Sequence, residues 1–259
     1  MSGTVARSLG ALGDALGGTA NVNFDAGTLF IDGVNNRVGI ATTTPSSRLT
    51  LGNNIGTQGD PNQIVLYDDG ISTNRLGFGV SSGLFNIVAG GGTGIAFHTN
   101  GTNSTFERMR IDASGRITMP FQPAFHAYGG GSVSVSVSNY ILALTGTITN
   151  RGSHYNTSNY RFTAPVTGMY MFAHRATWGS TGSGVAVFLA VNGSAAGGVS
   201  AATEVFGYTT GSSYHTTSAC VTFIQLNVND YVEARATVFN SSAQTLDLTR
   251  CSLSGYFVG

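Results

Sequence analysis

Between Asn21 and Met119 the apolar residues arrive in short pulses, each closed by turn-forming residues. "GTLFIDGVNNRVGIATTTPSSRLTLG" holds pulses at Leu29–Ile31, Val38–Ile40 and Leu49–Leu51, and Asp-Gly and Asn-Asn lie between the first two as hairpin-type turn signals. "IVLYDDG", "RLGFGV", "LFNIVAGGGTGIAFHTNGT" and "RMRIDASGRITM" continue the rhythm, which predicts short strands without helices. From Phe121 the strands lengthen and aromatics thicken, through "QPAFHAY", "YILALTGTI", "NYRFTA", "GMYMFAHRATW", "GVAVFLAVNG", "YHTTSACVTFIQL", "DYVEARATVF" and "CSLSGYFVG". That spacing predicts a β-sandwich or jelly roll of roughly eight strands or more. In "GMYMFAHRATW", period-two alternation places Tyr170 and Phe172 on one face and Met169 and Met171 on the other. Neither face is written for water. Either the strand is buried twice, or one face belongs to the core and the other to a neighbouring subunit.

Residues 1–24 read differently. Val5, Leu9, Leu12 and Leu16 follow an a/d rhythm, while Gly10, Gly13 and Gly17 each weaken a helix by about 1 kcal/mol. The segment is expected to be either a helical, self-associating or docking tail or a disordered one. The apolar content of the following hundred-odd residues is thin and evenly spread. A single copy could hardly offset the ordering cost of about 1–2 kcal/mol per residue, so identical chains are expected to share a core there.

Composition sharpens this picture. Charged residues are 9% of the chain against 41% hydrophobic, Gly numbers 37, and the 12 basic residues are all arginine. The formal net charge is zero, which removes the electrostatic footprint for nucleic acid and the basic face for anionic lipid. No apolar run is long enough to span a bilayer, so no membrane insertion is expected. The start, "MSGTVARSLGALGDALGG", lacks the basic opening and unbroken apolar block of a secretory signal, so export within a particle released by lysis is the expected route. Cys220 and Cys251 alone make no disulfide framework and no metal-type spacing.

"TNRGSHYNTSNYRFTAPVTGMYMFAH" resembles the signature of the complement C1q globular head, in the tumour necrosis factor-like jelly-roll superfamily. Asn150, Tyr155, Phe162, Thr163, Ala164, Pro165, Gly168, Tyr170 and Phe172 fill the family positions. "VFLAVNG", "LNVNDYVEAR" and "SLSGYFVG" are similar to three later blocks in the same order, with Asn229 where the family has Gly. The resemblance implies a ten-strand, two-sheet jelly roll in a three-fold trimer, with chain ends together at its base. It also implies aromatic strand residues in the trimer seam or core: Phe162, Tyr170, Phe172 and Tyr256. "LFIDGVNNRVGIATTTPSSRLTL" resembles a repeat of bacteriophage tail fibres and other surface fibres, with Ala41 replacing its second Gly. The combination resembles receptor-binding phage fibres.

The expected architecture is therefore all-β: an attachment segment over 1–24, a β-rich trimeric shaft over 25–120, and a C1q-like jelly-roll head over 121–259. The expected function is a homotrimeric virion fibre on tail or capsid. Its N-terminal segment docks on a virion protein, and its head binds a host-cell surface glycan outside the host. A decoration fibre without a receptor, and a glycan-degrading tailspike, are the alternatives. The tailspike reading lacks its chemistry. Glu107, Glu204 and Glu233 stand isolated, and most Asp residues sit in turn contexts such as "IDG" and "IDASG", so no carboxylate pair, catalytic residue or cofactor is expected. Asp68 and Asp69 gain no further ligand. The resemblance to C1q heads, some of which carry calcium, makes Asp230 and Glu233 candidates for such a site, but no metal is expected. His98, His126, His154, His174 and His215 never pair at ligand spacing, and "GGGTG" at 90–94 lacks the Lys and helix of a phosphate loop. If the chain ends share the base, antiparallel alternation puts 178–184, 206–215 and 239–249 at the far tip. The tip residues Trp178, Tyr208, Tyr214, His215, Asn240 and Gln244 combine ring faces for sugar CH groups with neutral hydrogen-bonding groups; the alternative for Trp178 and Tyr214 is a place in the core.

Overall fold

A computed structural model describes residues 21–24, 28–52, 64–67, 75–81, 83–136, 139–179, 184–194, 205–208, 216–239 and 243–259; the side chains of 81, 184, 185, 205–208 and 216 lie outside the description. The reading of 1–20 and Asp68 and Asp69 also fall outside it. The described residues form two compact units. The first runs to Phe97 and includes Arg110–Thr118; the second comprises His98–Met109 and Met119–Gly259.

In the first unit β1 (Val22–Phe24), β2 (Leu29–Asp32) and β3 (Arg37–Ile40) are antiparallel. The turn between β2 and β3 is held by Asp32, whose Oδ1 accepts from Asn35 N at 2.9 Å and whose Oδ2 accepts from Asn35 Nδ2 at 2.9 Å. β4 (Leu49–Leu51) then pairs with β3 in parallel, which the pulse pattern did not foretell. So short a parallel return is unusual. It is fastened by Arg37 Nη1 donating to Pro45 O at 2.9 Å and by Gly52 N donating to Ile40 O at 2.7 Å. Ala41, where the fibre repeat has Gly, sits at φ 58. β5 (Ile64–Tyr67), β6 (Leu76–Ser81) and β7 (Leu84–Ala89) form a separate antiparallel sheet. After β8 (Ile95–His98), β9 (Glu107–Ile111) and β10 (Ile117–Thr118) make a hairpin. Its turn is organised by Asp112, whose Oδ1 accepts from Ser114 N and Arg116 N. These hydrogen bonds hold the carboxyls of Asp32 and Asp112 below their ordinary range.

The second unit contains β11 (Ala124–Tyr128), β12 (Ser132–Val135), β13 (Tyr140–Ile141), β14 (Gly146–Arg151), β15 (Tyr155–Asn156) and β16 (Arg161–Thr163). It continues through β17 (Gly168–Trp178), β18 (Gly184–Val191), β19 (Val205–Tyr208), β20 (Thr216–Leu226), β21 (Tyr231–Val238) and β22 (Gln244–Phe257). One sheet has the order β14-β11-β22-β17-β20 with β12 also on β22; the other is β15-β16-β21-β18-β19 with β13 on β21. Facing antiparallel sheets with strands crossing between them make a jelly roll, and the two-residue β13 and β15 carry the strand count past ten.

Its core is aromatic. Phe125 stacks on Tyr155 and Phe162 with centroids 5.0 and 4.9 Å away, and Phe162 meets Phe172 edge-on at 5.7 Å. Gly255 makes room, since a methyl there would stand 2.6 Å from the Phe125 ring and 2.7 Å from Phe172. Asn150 clamps both polar groups of the Tyr155 backbone, and the Tyr155 hydroxyl donates to Leu144 O at 3.1 Å. Burial raises the Tyr155 phenol far above its usual value. Phe257 N donates to Pro123 O at 3.0 Å and Met169 N to Gly259 O at 2.7 Å, so the chain enters and leaves the jelly roll at one end.

Candidate functional site

At the opposite end β17, β19 and β21 stop before 180–183, 209–215 and 240–242, which lie outside the described residues. Trp178 pairs with Thr216 and Leu246, Gly184 with Tyr208, and Val185 with Val238, so all three connections leave from one end. Parts of the stretches expected at the tip belong to strands instead, 206–208 to β19 and 244–249 to β22. Two expected tip contacts are thereby corrected. Trp178 is 0% exposed and belongs to the core cluster, in the same alternation phase as Tyr170 and Phe172. Gln244 begins β22 on its inward phase and is also buried. Neither can touch a ligand at the surface. Tyr214, His215 and Asn240, and the side chain of Tyr208, lie outside the described residues.

A second surface was reachable from the alternation of β17. Phe162, Tyr170 and Phe172 are buried in the core of one chain, whereas Tyr256 faces outward. Across the outer face of the β14-β11-β22-β17-β20 sheet, Ala124, Tyr256, Met171 and Phe223 stand in one row. His126, Ser254, Ala173 and Val221 form the next, and Tyr128, Ser252, Arg175 and Ala219 the third. Val221 is 64% exposed, Phe223 59% and Tyr256 43%. Exposed Tyr256, Phe223 and Val221 gathered on one sheet face in this way mark an interaction surface. His126 Nδ1 lies 2.8 Å from Ser254 Oγ within it. Sequence reasoning named Tyr256 and placed Met169 and Met171 on the second face, but missed Val221, Phe223 and Tyr128. The same period-two count applied to β20 would have found the first two.

The first unit repeats the pattern. Ile64, Phe78 and Ile87 pair across β5-β6-β7, and Val80 and Phe85 share their face. Phe78 and Phe85 stack with centroids 6.2 Å apart, yet Phe85 is 69% exposed. Among the described residues up to Phe97, the buried large apolar side chains are Val22 and Phe30.

The acidic residues do other work. Asp230 Oδ1 accepts from Asn192 Nδ2 and Oδ2 from Asn227 N, both at 2.7 Å, which lowers its carboxyl pKa and ties two turns together. Glu233 is fully buried between Arg161 and Arg235. The two candidates for calcium are thus committed to separate structural partners. Among the described residues no three His, Cys, Asp or Glu side chains group as metal ligands. His174 is buried, which pushes its imidazole down to about 4 and leaves it neutral at ordinary pH. Burial raises the Cys251 thiol to about 11 and moves Cys220 upward too, so neither is an activated nucleophile.

The profile of the C1q domain family matches residues 124–258. Among solved structures, the globular domain of zebrafish complement 1qA protein aligns at TM-score 0.43 and 12% identity, covering 53% of this chain and 98% of that one. Eiger TNF from S. frugiperda aligns at TM-score 0.43 and 10% identity, over 53% of this chain and 93% of that one. Murine APRIL aligns at 0.40 and 11% identity, over 53% and 99%. No protein of curated function matches the chain. Domains of the C1q type are binding and structural modules that commonly form trimers. With the matched segment coinciding with β11–β22 and more than half the sequence inside it, this chain belongs to the C1q domain family.

Proposed function

We propose that the chain is a homotrimeric fibre protein of a bacteriophage virion, attached through residues 1–24 and presenting its C1q-type head to a glycan on the host-cell surface. The observation that carries the assembly is the row of Tyr256, half-buried Met171 and Phe223, with Val221 beside it, in which Tyr256, Phe223 and Val221 are exposed. Packing that face against two further copies removes it from water, at about 25 cal/mol for each Å² covered. The apolar face of β5-β6-β7 supports the same arrangement for a trimeric shaft, since a small sheet with one uncovered apolar face is marginal alone. The virion assignment rests on the fibre-type repeat around "RVGIATTTPSSRL" preceding such a head. The glycan reading rests on the neutral aromatic and amide composition of the loop-bearing end, now without Trp178 and Gln244. Many copies on one particle would let each site be weak.

Light scattering on the full chain should give about three times the single-chain mass of 26.7 kDa. Met171→Glu combined with Phe223→Glu should lower it to one chain while the strand signal in circular dichroism persists. A well-folded single-chain particle from the unaltered protein refutes the reading. Purified trimer should also compete with phage for adsorption to host cells. A trimer that binds no host surface leaves only a structural fibre.

A further inference from the structure

The outer face of the β15-β16-β21-β18-β19 sheet carries a charge arrangement that the assembly does not use. Glu233 on β21 has a side chain 0% exposed. Its Oε2 accepts from Arg161 Nε at 3.0 Å and its Oε1 accepts from Arg235 Nε at 2.9 Å, with Arg235 Nη2 on the same oxygen. One carboxylate therefore fixes two guanidiniums and leaves the trio with an excess positive charge. Each guanidinium has five N–H donors in a rigid fork. Glu233 engages Nε of Arg161, and Nε and Nη2 of Arg235. The remaining nitrogens keep contact with solvent: the side chains are 34% and 13% exposed, and neither contributes a buried, unbonded nitrogen.

Two neighbours complete the setting. Arg161 Cζ lies 4.1 Å from the centroid of the Tyr231 ring, which fixes the guanidinium plane as well as its edge. Gly193, at φ 77, packs closely against the Tyr231 hydroxyl on the side of the other arginine. A methyl on its Cα would stand 2.8 Å from the Tyr231 hydroxyl and 3.7 Å from Arg235 Nη2. The nearby Asp230 is turned to its own loop by Asn192 and Asn227.

We propose that Arg161, Arg235 and the Tyr231 hydroxyl form a binding site for an oxyanion, the sulfate or carboxylate group of an acidic ligand. Pre-oriented guanidiniums suit such groups because parallel N–H donors match two oxygens of one anion. Glu233 is the positioning residue: it holds both forks so that little side-chain freedom is lost when the anion arrives. The site lies on the sheet face away from the Tyr256–Phe223 row, so it does not rest on trimerisation or on the virion assignment.

The test is calorimetric titration of the full chain with sodium sulfate at constant ionic strength, then with dextran sulfate and uncharged dextran. Saturable sulfate binding is expected in the unaltered protein, weakened at least about tenfold in Arg161→Gln. Arg161→Lys keeps the charge but loses the planar fork, and should still bind severalfold more weakly. Arg250→Gln, which removes an arginine paired with Asp247 elsewhere, should bind normally. Dextran sulfate gaining affinity over sulfate, with dextran silent, identifies a polymeric ligand; equal affinity identifies a small one. Absence of saturable binding, or an unchanged constant in Arg161→Lys, overturns the proposal. Should Arg161→Gln fail to fold, the Lys variant decides.

Discussion

Acid should loosen this protein through one histidine before its carboxylates titrate. His174 is 3% exposed, paired across β17 with Cys220 and Leu253, and burial holds its imidazole down to about 4. In the unfolded chain a histidine titrates near about 6.5. Between those values the unfolded state takes up a proton that the folded state refuses. Stability is therefore whole above about 6.5, declines as pH falls through the window, and stops declining from this source below about 4. The gradient approaches about 1.4 kcal/mol per pH unit and the total is about 3 kcal/mol. Asp32, Asp112 and Asp230 all have lowered carboxyl pKa values, so their loss of stability comes at more acid pH. His154 is also lowered by burial and adds in the same direction, but equally in any His174 variant. The assay is urea unfolding followed by circular dichroism at fixed protein concentration, for the natural chain and His174→Gln, from about pH 7.5 to about pH 4.5. The natural chain should lose about one proton's worth of slope more than the variant. Parallel pH profiles would refute the reasoning, because they would mean that His174 is solvated or hydrogen-bonded well enough to be protonated in place.

Other expectations are local. Tyr155→Phe removes the donor to Leu144 O and should cost about 1–2 kcal/mol in the unfolding midpoint, with the β-sheet spectrum unchanged. Gly255→Ala drives a methyl into the Phe125 and Phe172 rings and should destabilise by about 1–3 kcal/mol or prevent soluble expression. Ala41→Gly relieves a left-handed conformation worth about 1–2 kcal/mol but loosens the unfolded chain by about 0.4–1 kcal/mol, so a small net gain in thermal midpoint is expected. Trp178→Ala should cost about 3–5 kcal/mol as a core deletion, whereas Tyr208→Ala with Tyr214→Ala should abolish host adsorption and leave the trimer mass unchanged.

What could be read in the sequence was what the fold does over short distances or at a fixed period. The motif from Asn150 to Phe172 is a set of nearby fastenings: Asn150 on the Tyr155 backbone, and Tyr170 donating to Val166 O at 2.7 Å. Ala164 links to the next turn through Asp230 O and Asn229 N, and Asn229, which stands where the motif has Gly, sits at φ 72. Asp as turn-former was legible for the same reason, since Asp32 and Asp112 act within a few residues of themselves. Trp178 was misplaced by a boundary rather than by chemistry. Counting it both as the last residue of the strand and as the first of the tip loop made a loop residue of an inward position, although its phase with Tyr170 and Phe172 already pointed to the core.

Long-range pairing is where the pattern fell silent. Nothing near Glu233 announces Arg161, 72 residues away, so an apparently spare carboxylate looked available for calcium. Nor does the pulse from Leu49 to Leu51 reveal that it joins β3 in parallel. The same silence explains why the outer face of the head sheet was only half seen. Alternation shows that a strand has two apolar sides, but which strands lie beside it decides whether those sides add up to a surface. Met171 became part of a face only once β20 placed Phe223 on one side of it and β22 placed Tyr256 on the other. That juxtaposition turns a strand with no watery side into the face on which the proposed assembly rests.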